Sequence, residues 1–449
     1  MFSAFVNSFK IPELRSRLLF TLGLVFTCRI VTSVPIPGVD AAELQRAVER
    51  VQHLLGGGLL SLFDLFNGGA LSQCAVGALG IMPYISASII LQLMTAVIPT
   101  LERLAREGDV GRQKITQYTR YLTLAICVVQ GFFLAITLEN PSALGIDTNI
   151  VYSPGWGFRL MAVLAVTTGT MLMMWLGEQI TERGIGNGIS LIITVNIVSA
   201  LPAAISQASN LFKSEGGVAG LSMFHLVGML VMMFLVISGT IAITQATRKI
   251  PIHTTKRVVG RKVYGGQNTY MPLKVNYSGV MPIIFAQALL MFPALIFKAI
   301  PFPAIQRIGA SLSDMGSMPY LTIYGLMILF FSYFWVATQF NPLQIADDLK
   351  KNGGYVPGVR PGRPTAEYLD HTMTRITLIG AIALTVIAVI PMVLARQFQI
   401  PWLVASFFGG TSLLIIVGVS LDTMRQIESH LLTRHYDGFL KKGRLRGRR

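Results

Sequence analysis

The chain has 449 residues, of which 52% are apolar and only 13% charged, with a mean hydropathy of +0.59 and a net charge of +16. A soluble chain carries about 25% charged residues, so the composition excludes soluble domains along with disordered, collagen-like and disulfide-scaffold classes. The basic excess, 37 Lys and Arg against 21 acids, suits anionic partners such as phosphate-rich lipid, nucleic acid or acidic protein.

In chain order, ten apolar runs approach the length of about 20 residues that a membrane-crossing helix needs. They cover residues 18–34, 76–98, 121–138, 160–176 and 189–205, then 224–243, 280–296, 320–340, 376–394 and 403–421. The first run is not a cleavable signal peptide, because no small-residue cleavage site follows it and nine more runs do. With the N-terminus inside, the inner segments hold 29 of the 37 basic residues and the outer segments 7, and Arg29 lies within the first run. The acids divide 13 to 8. Both termini are therefore expected on the cytoplasmic side.

Within the runs, ionisable groups are scarce: Arg29, and the ends near Arg159 and Glu178. Ion- and proton-coupled carriers keep such groups for function. Their scarcity weighs against coupled transport and leaves room for a pore with an apolar lining.

Five runs in each half force the second half into the opposite orientation, the arithmetic of an inverted repeat. GIMPYI at residues 80–85 matches GVMPII at 279–284, and GISLII at 188–193 matches GTSLLI at 410–415. Second thus matches seventh and fifth matches tenth. Pro83 and Pro282 are each expected to remove a helix hydrogen bond, which loosens or kinks the helix. Gly186, Gly188, Gly409 and Gly410 would allow close backbone approach.

Between the first two runs lies Gly56-Gly57-Gly58, then residues 59–66, then Asn67-Gly68-Gly69. Eight residues cannot cross a bilayer, and glycines at both ends make the piece hinged. Leu59, Leu62, Phe63 and Phe66 form an apolar stripe at helical spacing, with Leu60 and Leu65 beside them. Residues 248–274 hold seven basic residues and no acid, and 258–264 read as a short hairpin presenting Arg261 and Lys262 at its tip, with Lys256 and Arg257 nearby. Arg360 sits in a turn between Gly358 and Pro361-Gly362. Positive loops are cytoplasmic in membrane proteins generally, which explains the sign of this charge but not a seven-to-zero imbalance; such loops suit RNA phosphate or an acidic protein surface.

GIMPYISASIILQL at 80–93 and MWLGEQITERGIGNGISLII at 174–193, supported by RIVTSVPIPGV at 29–39, YVPGVRPG at 355–362 and FGGTSLLI at 408–415, resemble the SecY family, the channel subunit of the bacterial Sec translocase. The likeness runs from Ile11 to the basic tail. It implies an all-α polytopic membrane protein, with ten transmembrane helices in two inverted five-helix halves forming a clamshell around a central pore. Residues 1–215 would be the N-terminal half, with a plug at about 56–70. Residues 216–421 would be the C-terminal half, with cytoplasmic loops at 246–276 and 341–375, and 422–449 a basic cytoplasmic tail.

The resemblance also assigns residues. Ile81, Ile85, Ile189, Ile193, Ile284 and Ile415 would form an apolar ring, which dewets and blocks ions yet does not bind a passing peptide. Leu59, Leu60, Leu62, Phe63, Leu65 and Phe66 would be the plug. Ser86, Ser88, Ile89, Gln92 and Phe292 would border a lateral gate, and Lys256, Arg257, Arg261, Lys262 and Arg360 would dock partners. The implied partners are SecE and SecG in a heterotrimer, SecA, the ribosome, signal sequences and nascent chains, membrane lipids, and also SecD-SecF and YidC. The implied location is the bacterial inner membrane, with a thylakoid membrane as the alternative.

No GxxxxGK[ST], HExxH or GxSxG motif occurs, the six histidines are scattered, and Cys28, Cys74 and Cys127 lack metal-ligand spacing and cannot all pair. No enzyme activity, cofactor or metal is expected, and energy would come from a partner. The competing reading is a secondary transporter, which inverted repeats also build; it would need a polar midplane site where this sequence places isoleucines. An intramembrane enzyme lacks its catalytic pair.

Overall fold

The computed structural model describes residues 11–40, 43, 64–139, 150–213, 223–254, 257–259, 262–264, 268–299, 302–314, 316–398, 400, 402–408 and 410–442. By contacts these residues divide into two units, described separately below. The described parts of Met1–Ser222, Pro401–Phe407 and Ile415–Arg449 form the first, and those of Met223–Ile400 and Phe408–Leu414 the second.

In the first unit, α1 (Pro12–Ser33) leads to a turn-rich stretch and then α2 (Met82–Val97). Pro99 ends α2 one residue earlier than the apolar run, and the chain bends by 105° into α3 (Pro99–Arg106). Two long helices follow, α4 (Asp109–Glu139) and α5 (Trp156–Arg183), packed along each other with α4 also against α2. The fifth run carries two helices that together form one span over Gly188–Ser209: α6 (Gly188–Ser199) stops at Ala200, and Pro202 lies in the first turn of α7 (Leu201–Lys213). Proline has no N–H with which to continue the ladder across that point.

The second unit begins with α8 (Met223–Gln245), followed by strands β1 (Thr247–Thr254), β2 (Arg257–Val259), β3 (Lys262–Tyr264) and β4 (Asn268–Lys274). Strands β2 and β3 pair antiparallel with Val259 opposite Lys262, so the expected hairpin forms. A larger sheet accompanies it. There β1 runs antiparallel to β4, with Ile250 opposite Met271, and its end pairs with β5 (Gly354–Tyr355). Ile250, Leu273, Val336, Phe340, Val356, Leu369, Met373 and Ile376 pack as one apolar cluster beneath this sheet.

Helices α9 (Met281–Ala299), α10 (Pro303–Ser313) and α11 (Met318–Gln339) pack together, and α11 lies along α13 (Arg363–Gln397). The stretch before α13 is largely ordered into α12 (Pro342–Lys351), whose N-cap Asn341 accepts from the Gln344 N–H at 3.3 Å, and β5. The tenth run carries two helices, α14 (Trp402–Phe408) and α15 (Thr411–Lys442), most of whose residues belong to the first unit.

Among the described residues, seven helices are long and apolar enough to cross a membrane, or eight if the bent α2–α3 pair counts as one span; Met281–Leu290 is a shorter apolar helix. Each of the ten apolar runs contains helix, although residues 76–81 of the second are turns. Their flanks carry large exposed apolar side chains, including Phe26, Phe133, Leu164, Phe234 and Leu326. In water such a surface would aggregate; in hydrocarbon it is the solvated face.

The two matched prolines do not kink their helices. Pro83 and Pro282 are each the second residue of a helix. There a backbone N–H would have no intrahelical acceptor, so its absence costs nothing and the fixed φ favours starting the helix. Among the described residues, the prolines that do sit inside helices are Pro293 and Pro391.

Candidate functional site

Residues 64–81, which lead into α2, pack against α1 and α6. A single helical turn at residues 64–66 buries Leu65 and Phe66, and turns continue to residue 81. Backbone bonds tie this stretch to the end of α1: Ile36 N–H donates to the Cys74 carbonyl and Val76 N–H to the Val34 carbonyl, both at 2.8 Å. Asp64 closes the loop on itself. Its Oδ1 accepts from the N–H groups of Leu71 (2.9 Å) and Ser72 (3.0 Å). Burial pushes the Asp64 carboxyl above its ordinary range, although these N–H donors pull the other way.

The chain from Phe66 to Gly68 is held by side chains from three elements. Arg29 on α1 donates from Nη1 to the Gly68 carbonyl and to the Asn196 Oδ1, each at 3.3 Å. Asn196 on α6 donates from Nδ2 to the Phe66 carbonyl at 3.0 Å. Asn67, fully buried, donates to the Ala78 carbonyl at 2.7 Å. Arg29 stands near the C-terminal end of α1, and even at a helix centre in a membrane an arginine costs about 2.5–3.5 kcal/mol on insertion scales. A hydrogen bond to a charged group returns about 1.5–3 kcal/mol, so the two acceptors are enough to offset that cost. Irregular backbone at membrane depth persists only where protein covers it or a cavity lies beside it, and these bonds supply the cover.

Ile81 ends this stretch and is the N-cap residue of α2; it and Ile85 are buried. Ser86, buried, donates its hydroxyl to the Met82 carbonyl at 3.0 Å, Ile89 is buried, and Gln92 Nε2 stands 3.5 Å from the Ser88 hydroxyl. On α6, Ile193 is buried and Ile189 half-buried.

The long motif between α5 and α6 has a structural explanation. Asn187 caps α6, its Oδ1 accepting from Ile189 N–H (3.1 Å) and Ser190 N–H (3.3 Å). Thr181 bridges the corner, accepting from Gly188 N–H and donating to the Gly177 carbonyl, both at 2.9 Å. A β-carbon at Gly188 would collide with that carbonyl. The corner is anchored by Thr21 Oγ1, which accepts from Ile185 N–H at 3.2 Å, and by Gln426 Oε1, which accepts from Gly186 N–H at 2.8 Å. Leu14, Ile185 and Ile427 close an apolar cluster around it. Ile415 is fully buried on α15.

In the second unit Ile284 is buried in the first turn of α9, and Phe292 lies on the same helix. Arg257 and Lys262 stand at the open and closed ends of the β2–β3 pair, opposite Tyr264 and Val259. Arg360 is exposed in the turn before α13, and its carbonyl accepts from the Thr365 hydroxyl at 2.8 Å. Leu59, Leu60, Leu62, Phe63, Lys256 and Arg261 lie outside the described residues. No group of three or more His, Cys, Asp or Glu able to hold a metal occurs among the described residues.

Sequence reasoning noted Arg29 but gave it no role, and missed Asn196. The available signals were an ionisable group inside an apolar run and a lone amide in IITVNIVSA.

A family model described as SecY matches residues 75–424. The chain is 45% identical to the protein translocase subunit SecY of Chlamydia trachomatis over 455 residues, covering 98% of each chain. It is 42% identical to that of Thermotoga maritima over 452 residues, covering 100% of both. Among solved structures, one described as a protein conducting channel matches with a TM-score of 0.62 at 16% identity, covering 92% of this chain and 91% of that one. Sec61 from the canine ribosome-channel complex of the endoplasmic reticulum matches with a TM-score of 0.58 at 14% identity, with the same coverage. These structures establish the fold, with which a ten-helix, two-half layout is consistent, and the apolar spans make the chain a multi-pass membrane protein.

Proposed function

Because the chain belongs to the SecY family, we propose that it is the protein-conducting channel subunit of a Sec translocase, passing unfolded secretory chains across the membrane and releasing transmembrane segments sideways into lipid. The reading is of a passive channel in the bacterial inner membrane with both termini cytoplasmic. SecE and SecG complete the heterotrimer, and SecA or the translating ribosome drives it.

The observation that carries the mechanistic part is the packing of residues 64–80 among α1, α2 and α6, held by polar bonds of which those of Asn67 and Asn196 are buried. In this reading Leu65 and Phe66 end the plug segment, whose remainder is residues 59–64. Ile81, Ile85, Ile189, Ile193, Ile284 and Ile415 form the ring. Aliphatic side chains there exclude water when no chain is present and give no hydrogen bond that would stall a passing peptide. Ser86, Ser88, Ile89, Gln92 and Phe292 line the lateral exit. Lys256, Arg257, Arg261, Lys262 and Arg360 meet the driving partner, the first four through phosphate-like anions and Arg360 through an acidic protein surface.

The test is reconstitution of the purified heterotrimer in liposomes with SecA, ATP and a secretory precursor. Protease-protected precursor is expected, dependent on ATP and on the channel. Ile415→Asn should put an amide into the ring, raise ion leak and relax the demand for a good signal sequence. Solute flux without any partner, together with no protected precursor, would favour a transporter and overturn the reading.

A further inference from the structure

We propose that Arg29 and Asn196 are positioning residues that clamp the root of the plug, the chain from Phe66 to Gly68, against α1 and α6, and so set the leak of the resting channel. The proposal rests on the reading of Leu65 and Phe66 as the end of the plug.

The two side chains come from helices 167 residues apart in sequence and converge on one turn. They grip its backbone and not its side chains: Arg29 takes the Gly68 carbonyl and Asn196 the Phe66 carbonyl, while the Asn196 Oδ1 turns back to the same guanidinium nitrogen. Asn196 thus works both ends, donating to the turn and accepting from the arginine. Gly68 is suited to the grip, since its φ of +68° places it in the left-handed region and a β-carbon there would collide with Arg29 Nη1.

On the far side, Asn67 ties the same turn to Ala78. Releasing the turn from α1 and α6 would take the Gly68 carbonyl from the Arg29 guanidinium and the Phe66 carbonyl from the Asn196 amide, leaving the two side chains only each other, an unfavourable state between apolar helices. That state supplies a restoring force toward the docked one. An apolar contact of equal area would hold the turn without such a penalty on release, and without directional register.

The test uses the full heterotrimer in liposomes with no motor present. The background is free of native thiols (Cys28→Ala, Cys74→Gly, Cys127→Ala; glycine at 74 because its φ is +47°) and carries Leu65→Cys, a position buried in the docked turn. Two quantities are read: the rate at which an impermeant maleimide labels the introduced thiol, and the ion leak. Losing a hydrogen bond to a charged group shifts such an equilibrium by about tenfold or more. Arg29→Met and Asn196→Leu should therefore each raise both quantities about tenfold, and Arg29→Lys, which keeps a cationic donor, should recover part of the loss.

If both apolar variants assemble, and label and leak as the parent does, the clamp is overturned. Should they fail to assemble, Asn196→Asp decides. It keeps an acceptor toward Arg29 but meets the Phe66 carbonyl with a second oxygen, so faster labelling supports the clamp and the parental rate overturns it. Precursor translocation by the parent with SecA and ATP is scored separately. Its failure would count against the channel reading, while the order of labelling rates would still decide whether Arg29 and Asn196 hold this turn.

Discussion

Asn67 and Gly80 meet so closely that a β-carbon at position 80 would collide with the Asn67 Oδ1. The glycine that opens the GIMPYI motif is thus required twice, by this approach and by its φ of +55°. It lets the turn around Asn67 close directly under the start of α2.

This pairing gives a double-mutant prediction. Gly80→Ala should cost about 1–3 kcal/mol through its left-handed backbone, with the collision added. Asn67→Ala should cost about 1–3 kcal/mol by stranding the buried Ala78 carbonyl. With Asn67→Ala already present the collision is gone, so the double variant should be less destabilised than the sum of the two singles. Thermal unfolding of the purified heterotrimer in detergent reads all three. Strict additivity would mean that the two side chains do not meet.

Asp64 gives a pH prediction. Its carboxyl is shifted upward by burial, so the fold favours the protonated form. The cost of charging it is absent below the unfolded carboxylate range and grows as pH rises through and above that range. Asp64→Asn keeps an oxygen to accept from Leu71 and Ser72 and carries no charge. The variant should therefore gain stability over the parent at pH 7, with the gain shrinking toward pH 4. Asp64→Leu, which removes both acceptors, should lose stability at every pH. Melting curves across that range check the sign, and a gain that grows on acidification would refute the assignment of burial as the dominant influence.

The corner between α5 and α6 separates two kinds of motif residue. Asn187→Ala removes a helix cap and should cost about 1 kcal/mol. Gly188→Ala drives a β-carbon into the Gly177 carbonyl, which cannot move without breaking the Thr181 bridge. It should therefore be clearly the worse of the two, seen as lost heterotrimer yield as well as a lower melting temperature. Equal effects would place the importance of Gly188 elsewhere.

The apolar runs were legible because hydropathy registers them directly, and the location of Pro83 marked a helix start, though as an initiator and not a kink. Other features depend on partners far away in the chain. The run from residue 76 enters its helix only at Met82 because Asn67 and Gly80 shape a turn there, and no local pattern announces that. Helix α13 begins at Arg363, before the apolar run at 376, because its first turns are polar and hydropathy does not register them. Strand β1 did carry a signal, since the buried Ile250 and Ile252 alternate with Lys249, Pro251 and His253. The charge count dominated the reading of that stretch instead. The convergence of Arg29 and Asn196 on a backbone turn is a tertiary fact that spacing cannot reveal.

Arg360 separates docking from folding. It is exposed, and its contact with the rest of the turn is made by its carbonyl, which accepts from Thr365 whatever side chain it carries. The following helix start is crossed by an exposed Arg363–Glu367 pair, which contributes little. Arg360→Glu should accordingly change stability by less than about 0.5 kcal/mol while reversing the charge offered to an acidic motor surface. The expected outcome is an intact heterotrimer that melts like the parent, with SecA-driven precursor translocation abolished. Arg257→Glu with Lys262→Glu should instead weaken ribosome binding and flatten its salt dependence, because fewer counterions are released from phosphate. Wild-type SecA-driven translocation by Arg360→Glu would remove this turn from the motor interface.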